Sequence, residues 1–196
     1  MEVSCIVLAG GKSKRLGKDK ALLILNKKHL ISYVLDVARK FFSDVLIVVK
    51  NEGQKKKLEK FNKRLKIFED RRRVFSPIAG IKEGIKHVKN DYVFVIGCDM
   101  PFIKEKTIRE LLPLANGDVD CIGYAQALNR YEPLCAIYKK KVFEGFDLEE
   151  GLHHLIDRID NKVLVPVSKE TLEFFNVNTK EDLKFARKMV KSLKSV

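Results

Sequence analysis

No stretch of the 196 residues stays apolar for the roughly 18–20 positions a membrane helix needs, although 45% of the chain is hydrophobic. The first apolar run, residues 3–9, is too short for a signal-peptide core and has no basic residue before it. A soluble, cytoplasmic protein with no membrane partner is therefore expected. Metal-ligand and disulfide patterns are also missing. Cys5, Cys98, Cys121 and Cys135 lie far apart, with no Cys-x-x-Cys spacing, so buried free thiols are expected rather than zinc or disulfides. His153 and His154 are neighbours that would point apart on a helix, and no second pair sits at ligand spacing. No Ser-His-Asp or Cys-His arrangement calls for a covalent nucleophile. Repeats, low-complexity segments and interdomain linkers are lacking, so residues 1–196 are read as one domain, long enough to bury a real core.

Acidic residues are scarce in one half only. Residues 1–100 hold 23 Lys and Arg against 11 Asp and Glu, while residues 101–196 hold 16 against 15. Nearly all of the net charge of +13 thus lies in the amino half. Such a field suits a triphosphate and a phosphorylated acceptor, and it speeds the arrival of anions. It would equally suit nucleic acid, although no basic motif interleaved with aromatics is present. A solvated charged surface is the plain alternative, and the lysine run at 55–57 fits it.

The two commonest glycine loops are absent as well. A Walker loop would need glycine where Ile6 stands, and the dinucleotide fingerprint would need it where Lys14 stands. What is present is a buried-strand run at residues 3–9, then Gly10-Gly11, then Lys12, Lys14, Arg15, Lys18 and Lys20. Glycines here can take backbone angles closed to other residues, and adjacent N–H groups can turn toward an anion that the cations neutralise. The stretch reads as a phosphate cradle at the carboxyl end of a first strand.

Strand and helix signals then alternate. Residues 45–49, 65–68 and 92–97 read as buried strands, and residues 31–41, 54–63 and 77–88 as helices between them. Further strands are expected at 119–124, 134–138, 163–165 and 174–177. Helices are expected near 108–112, over 140–154 and from about 180, the last capped by residues 179–182. The alternation predicts an α/β, three-layer Rossmann-like fold, a mostly parallel sheet with helices on both faces. Ligands in such sheets bind at the carboxyl ends of the strands. Gly10-Gly11, Asp70 and Asp99 all follow strands, so they should gather on one edge. Taken alone, Asp99 could hold Mg²⁺ against phosphates or cap the following helix, and Asp70 could be a turn residue.

Leu8-Ala9-Gly10-Gly11, then Arg15, Leu16, Gly17 and Asp19-Lys20, resemble the signature of the molybdenum cofactor guanylyltransferases (the molybdopterin-guanine dinucleotide biosynthesis protein A family). Three more motifs follow in that family's order. Cys98-Asp99-Met100-Pro101 resembles the Cys-Asp-x-Pro after its metal-holding strand, and Asp70 resembles an aspartate that contributes to GTP binding. Ser76-Pro77-Ile78-Ala79-Gly80 matches Gly-Pro-Leu-Ala-Gly except that Ser76 replaces the first glycine. Asn176-Val177-Asn178-Thr179 with Glu181-Asp182 resembles the closing Asn-Val-Asn-Thr motif, whose amides would suit a polar pterin acceptor, although Asn178 or Thr179 would also serve as a helix cap.

The resemblance implies a nucleotide-diphospho-sugar-transferase-like fold and an Mg²⁺-dependent transfer of GMP from GTP to the terminal phosphate of molybdopterin, with or without molybdenum. Residues 1–103 would bind nucleotide and 104–196 the acceptor. Leu8, Ala9, Gly10, Gly11, Asp70 and Gly80 would shape the nucleotide site. Arg15 and Lys20 would hold the triphosphate, Asp99 the metal. Arg130, Asn176 and Asn178 would meet the acceptor. Molybdopterin-delivery proteins and apo-molybdoenzymes or their chaperones are the implied partners. Gly10 replaces the alanine that cytidylyltransferases for the same acceptor carry, and a missing Cβ there would leave room for a purine. Sugar-phosphate nucleotidyltransferases are a further alternative, and a nucleic-acid-binding module is the distant one.

Overall fold

The computed structural model describes residues 1–11, 16, 19–126, 130–167 and 171–192. In chain order the elements are β1 (Val3–Leu8), β2 (Ile24–Leu25), β3 (Lys28–His29), α1 (Leu30–Phe41), β4 (Val45–Val49), α2 (Glu52–Phe61), β5 (Lys66–Glu69), α3 (Pro77–Ile85) and β6 (Tyr92–Gly97). They continue with α4 (Glu105–Leu111), β7 (Cys121–Gln126), β8 (Arg130–Tyr131), β9 (Cys135–Lys139), α5 (Leu152–Asp157), β10 (Lys162–Pro166) and α6 (Lys180–Ser192).

The main sheet has the order β10-β7-β9-β6-β1-β4-β5, and β8 pairs with β7. Strands β6, β1, β4 and β5 are mutually parallel, whereas β9 runs antiparallel to both β6 and β7. A mostly parallel sheet results, with β9 and the short β8 reversed. Its central strands are apolar on both sides because both sides are covered. On one face Cys5, Val7, Ile47, Phe94 and Ile96 meet Ile31, Val34 and Leu35 of α1, Leu58 of α2 and Ile108 of α4. On the other, Ile6, Leu46, Val93 and Val95 meet Ile78 and Ile81 of α3 and Leu155 and Ile156 of α5. Each such fully buried aliphatic contributes about 1.5–3 kcal/mol. A third cluster joins Leu25 and Leu30 to Val177 and to Leu183 and Ala186 of α6, so the carboxyl-terminal helix docks beside the small β2–β3 hairpin. All four cysteines are buried free thiols.

Two expectations fail locally. The helix expected over 140–154 is a 3₁₀ turn at Lys140–Phe143, then irregular chain until α5 begins at Leu152. Gly145 takes φ +65°, which ends the turn, and the Lys82 ammonium donates to the Phe146 carbonyl that a helix would have used. Phe143 and Phe146 still pack against the α3 face of the sheet. The strand expected at 174–177 is irregular too. Its Val177 N–H donates to the Asp99 carbonyl at 3.0 Å, and the Asn176 amide turns back to the Phe174 carbonyl. No ladder can form from those bonds.

Candidate active site

Leaving β1, the chain builds β4 and then β5 on one side, and returns to place β6 on the other. The loops after β1 and β6 therefore diverge, and a crevice opens where the order reverses. A cleft of about 310 Å³ occupies this edge, with Gly10, Gly11, Lys20, Lys50, Asp70 and Asp99 among its lining. That volume is in the range of small-ligand sites. One strand end after another supplies a residue.

At the β6 end, the Lys20 ammonium lies 2.8 Å from Asp99 Oδ2 and donates to Asn178 Oδ1 at 2.7 Å. Lys20 opens a 3₁₀ turn, Lys20–Leu22, whose Ala21 is fully buried, so the base of its side chain is fixed. The Cys98 N–H donates to the Leu8 carbonyl, which holds the β6 end against β1. Gly97 makes room for the carboxylate, since a Cβ there would stand 2.5 Å from Asp99 Oδ1. Asn178 is held by its helix: its N–H and that of Thr179 donate to Asp182 Oδ2, while the Asp182 N–H donates to Thr179 Oγ1. This reciprocal cap satisfies orphan donors at the start of α6. It also serves the cleft.

Burial raises the Cys98 thiol well above its ordinary range, and the Asp99 charge adds to that. Cys98 is a protonated structural thiol rather than a nucleophile. Burial likewise raises the Asp19 carboxyl, against the pull of Lys57 and the Ala21 N–H.

At the β5 end, Asp70 is only 2% exposed and fully engaged. Its Oδ2 meets the Lys50 ammonium at 2.8 Å, and its Oδ1 accepts from the Arg72 guanidinium at 3.1 Å. Lys50 is not among the residues that the sequence singles out. Lys50 follows β4 directly, so the strand-end rule that picks out Asp70 and Asp99 applies to it as well. Arg72 stands in a run of three arginines that, from sequence, could reach phosphate or acceptor but suits an exposed loop better. Its guanidinium instead donates to the Ala79 carbonyl at 2.8 Å and approaches Glu83 at 3.6 Å.

Not every expected site residue reaches the cleft. Leu8, Gly10, Gly11, Lys20, Asp70, Gly80 and Asp99 line it. Ala9 does not: it is 3% exposed, and its N–H is bonded to the Val48 carbonyl, so it has no donor left for an anion. Arg130 is exposed on β8, away from the cleft lining, because β8 pairs outward on β7. Asn176 spends its amide on the Phe174 carbonyl and is no cleft residue either. Asn178 reaches the site through Lys20. Arg15 lies outside the described residues.

The glycines matter for a different reason than expected. Positive φ is confined, among the described residues, to Asn26, Lys27, Gly117 and Gly145, so Gly10 and Gly11 use ordinary backbone angles. A Cβ on Gly10 would lie 3.0 Å from the Lys50 backbone nitrogen and 3.3 Å from the Val49 carbonyl carbon. Gly10 lets the β1 loop lie against the end of β4; its missing Cβ is not space left for a base. Gly80 similarly allows α3 to approach Leu8, whose Cδ2 a Cβ would meet at 3.1 Å.

The MobA-like NTP transferase domain matches residues 5–163. A probable molybdenum cofactor guanylyltransferase of Natranaerobius thermophilus is 32% identical over 95% of this chain and 95% of its own. One from Aquifex aeolicus is 33% identical over 92% of this chain and 88% of its own. The crystal structure of molybdopterin-guanine dinucleotide biosynthesis protein A from Archaeoglobus fulgidus superposes with a TM-score of 0.81 and 28% identity, covering 97% of this chain and 100% of that one. Fold, cleft and sequence agree: the chain is a nucleotidyltransferase that belongs to the MobA-like NTP transferase family, among the molybdenum cofactor guanylyltransferases.

Proposed function

We propose that the protein transfers GMP from GTP to the terminal phosphate of molybdopterin, releasing pyrophosphate. The observation that carries this reading is the Lys20–Asp99 pair at the switch-point cleft of a chain in this family. An ammonium and a carboxylate side by side can divide a metal-bound triphosphate between them, the cation taking phosphate oxygens and the anion the metal. Adjacent strands lie about 4.8 Å apart. Asp99 and Asp70, three strands apart along β6-β1-β4-β5, thus bracket a cleft that fits phosphates at one end and a base at the other.

An acceptor phosphate oxygen attacks the α-phosphorus as the bond to the β-phosphate bridging oxygen breaks, and pyrophosphate leaves with that electron pair. Lys20 neutralises charge on the phosphates, while the backbone of Gly10 and Gly11 confines them. Arg15 enters on its sequence motif alone. Asn178 fixes the Lys20 ammonium and presents its amide toward the acceptor. Most of the acceleration then comes from positioning and preorganised charge.

Mg²⁺ fits this donor set. Asp99 offers one carboxylate to the cleft, in the place that a Cβ on Gly97 would take, and no group of three or more His, Cys, Asp and Glu among the described residues forms an all-protein cage. That is the environment Mg²⁺ takes when phosphates supply most of its ligands. Bound there, the ion would offset charge building on the phosphates. The buried free thiols support a reducing cytoplasm as the setting. Molybdopterin-delivery proteins upstream and apo-molybdoenzymes or their chaperones downstream are the partners such a product implies.

Incubation with molybdopterin, Mg²⁺ and each nucleoside triphosphate in turn, following pyrophosphate and dinucleotide, tests the reading. GTP-dependent turnover is expected. Turnover with CTP alone would move the protein to the cytidylyltransferases, and silence with every triphosphate would overturn the enzyme reading.

A further inference from the structure

One side chain of the cleft has no role in the chemistry above. Phe75 lines it between Asp70 and α3, yet 54% of its surface is exposed, unusual for a large aromatic ring. Its place is tightly determined from both sides. The Lys50 ammonium has three donors, and three protein acceptors meet it: Asp70 Oδ2 at 2.8 Å, and the carbonyls of Arg72 and Val74 at 2.6 Å each. The Val74 carbonyl belongs to the peptide that leads into Phe75. On the other side, Ser76 caps α3 by accepting from the Ile78 N–H at 3.1 Å, and Pro77 fixes the first helical turn. Arg72 ties the same loop to the Ala79 carbonyl. The ring itself has the Lys50 ammonium 5.1 Å from its centroid, a cation–π distance. A lysine with every proton engaged is a clamp for the loop rather than a ligand for substrate.

We infer that Phe75 is the platform on which the nucleotide base stacks, held in position by Lys50. This rests on the nucleotide reading given above and adds to it the residue that carries base affinity. An apolar ring kept partly solvated by a dedicated set of bonds gains by being covered with another planar surface. At the far end of the cleft Lys20 and Asp99 suit phosphates, so the planar part of the ligand falls at the Phe75 end. Stacking of this kind tolerates any base. Phe75 therefore sets how tightly a nucleotide is held, not which one.

The chain contains no tryptophan, so Phe75→Trp introduces a single tryptophan, excited apart from the tyrosines, at the site in question. With Mg²⁺ present, GTP is expected to quench its emission saturably, and inorganic triphosphate, which has no base, is expected to leave it nearly unchanged. In equilibrium dialysis Phe75→Ala should bind GTP roughly 10- to 100-fold more weakly than the parent. Phe75→Tyr should restore parental affinity, and inorganic triphosphate should bind parent and Phe75→Ala alike. The inference is overturned if Phe75→Ala binds GTP with parental affinity, or if the emission of Phe75→Trp ignores GTP that dialysis shows to be bound. Equal quenching by inorganic triphosphate would also overturn it. Failure of the parent itself to bind GTP would sink the nucleotide reading and the platform with it, so the two failures look different.

Discussion

Lys20 and Asp99, 79 positions apart in sequence, meet with 2.8 Å between ammonium and carboxylate, and each side chain keeps only 14% of its surface exposed. The pair is partly desolvated, so its strength exceeds that of a surface ion pair. Removing either partner leaves the other charge poorly compensated in the cleft. Asp99→Asn should lower kcat by about a hundredfold or more, with the native circular dichroism spectrum retained. Pyrophosphate release measures the first and thermal melting the second; undiminished turnover would show that the metal sits elsewhere.

Gly97→Ala addresses the same carboxylate without touching its charge. The new Cβ would stand 2.5 Å from Asp99 Oδ1, so the carboxylate must rotate or the end of β6 must move. Turnover should fall by roughly 10- to 100-fold, since small displacements of positioned groups carry penalties of that order. GTP affinity should change far less. A titration of Mg²⁺ should show a raised half-saturation for the variant.

Gly10→Ala separates packing from base choice. Its Cβ would press on the Lys50 backbone at the end of β4, and overpacking of this kind costs about 1–3 kcal/mol. Urea unfolding should report that loss. The ratio of GTP to CTP turnover should stay as in the parent. A switch toward CTP would restore the purine-space explanation.

Asp182→Ala removes the acceptor for the N–H groups of Asn178 and Thr179. Loss of a helix cap costs about 0.5–2 kcal/mol, and the melting temperature should drop accordingly. Because Asn178 also accepts from Lys20, turnover should fall beyond what the lost folded fraction accounts for. Thr179→Ala, which keeps the Asp182 carboxylate, should lose stability with a smaller kinetic effect.

Glu132, between β8 and β9, has its carboxyl pushed up by burial from an ordinary 4.5 to about 7. Between those values the native chain holds a proton that the unfolded chain has released. This contribution to stability is complete below the unfolded pKa and is lost as pH rises through about 7. Denaturant midpoints should therefore fall over that window, and Glu132→Gln should flatten the fall. A parent whose stability rose across the same window through other groups would still differ from Glu132→Gln in slope.

Much of this molecule is legible in its residue order because the deciding signals are local. Continuous apolar runs at β1, β4 and β6 fixed strands buried on both faces, and the 3.6-residue periodicity of α1 and α6 fixed which side each helix turns inward. Residues that follow the parallel strands β1, β5 and β6 had to gather at one edge, which located Gly10, Asp70 and Asp99. The pairing of those groups was not local. Lys50 serves Asp70 and two loop carbonyls, Lys20 joins Asp99 to Asn178, and Ala9 gives its N–H to β4. Each depends on which strands become neighbours, and no window of sequence contains both partners. The Phe143–Phe146 segment makes the same point: its aromatic spacing suits a helix, but the lysine of α3 and a left-handed Gly145 decide otherwise. Sequence alone placed functional groups at a common sheet edge. Only the tertiary structure decided which of them face the cleft and which are spent on holding it open, because a hydrogen-bond donor once satisfied by a distant neighbour is no longer available to a ligand.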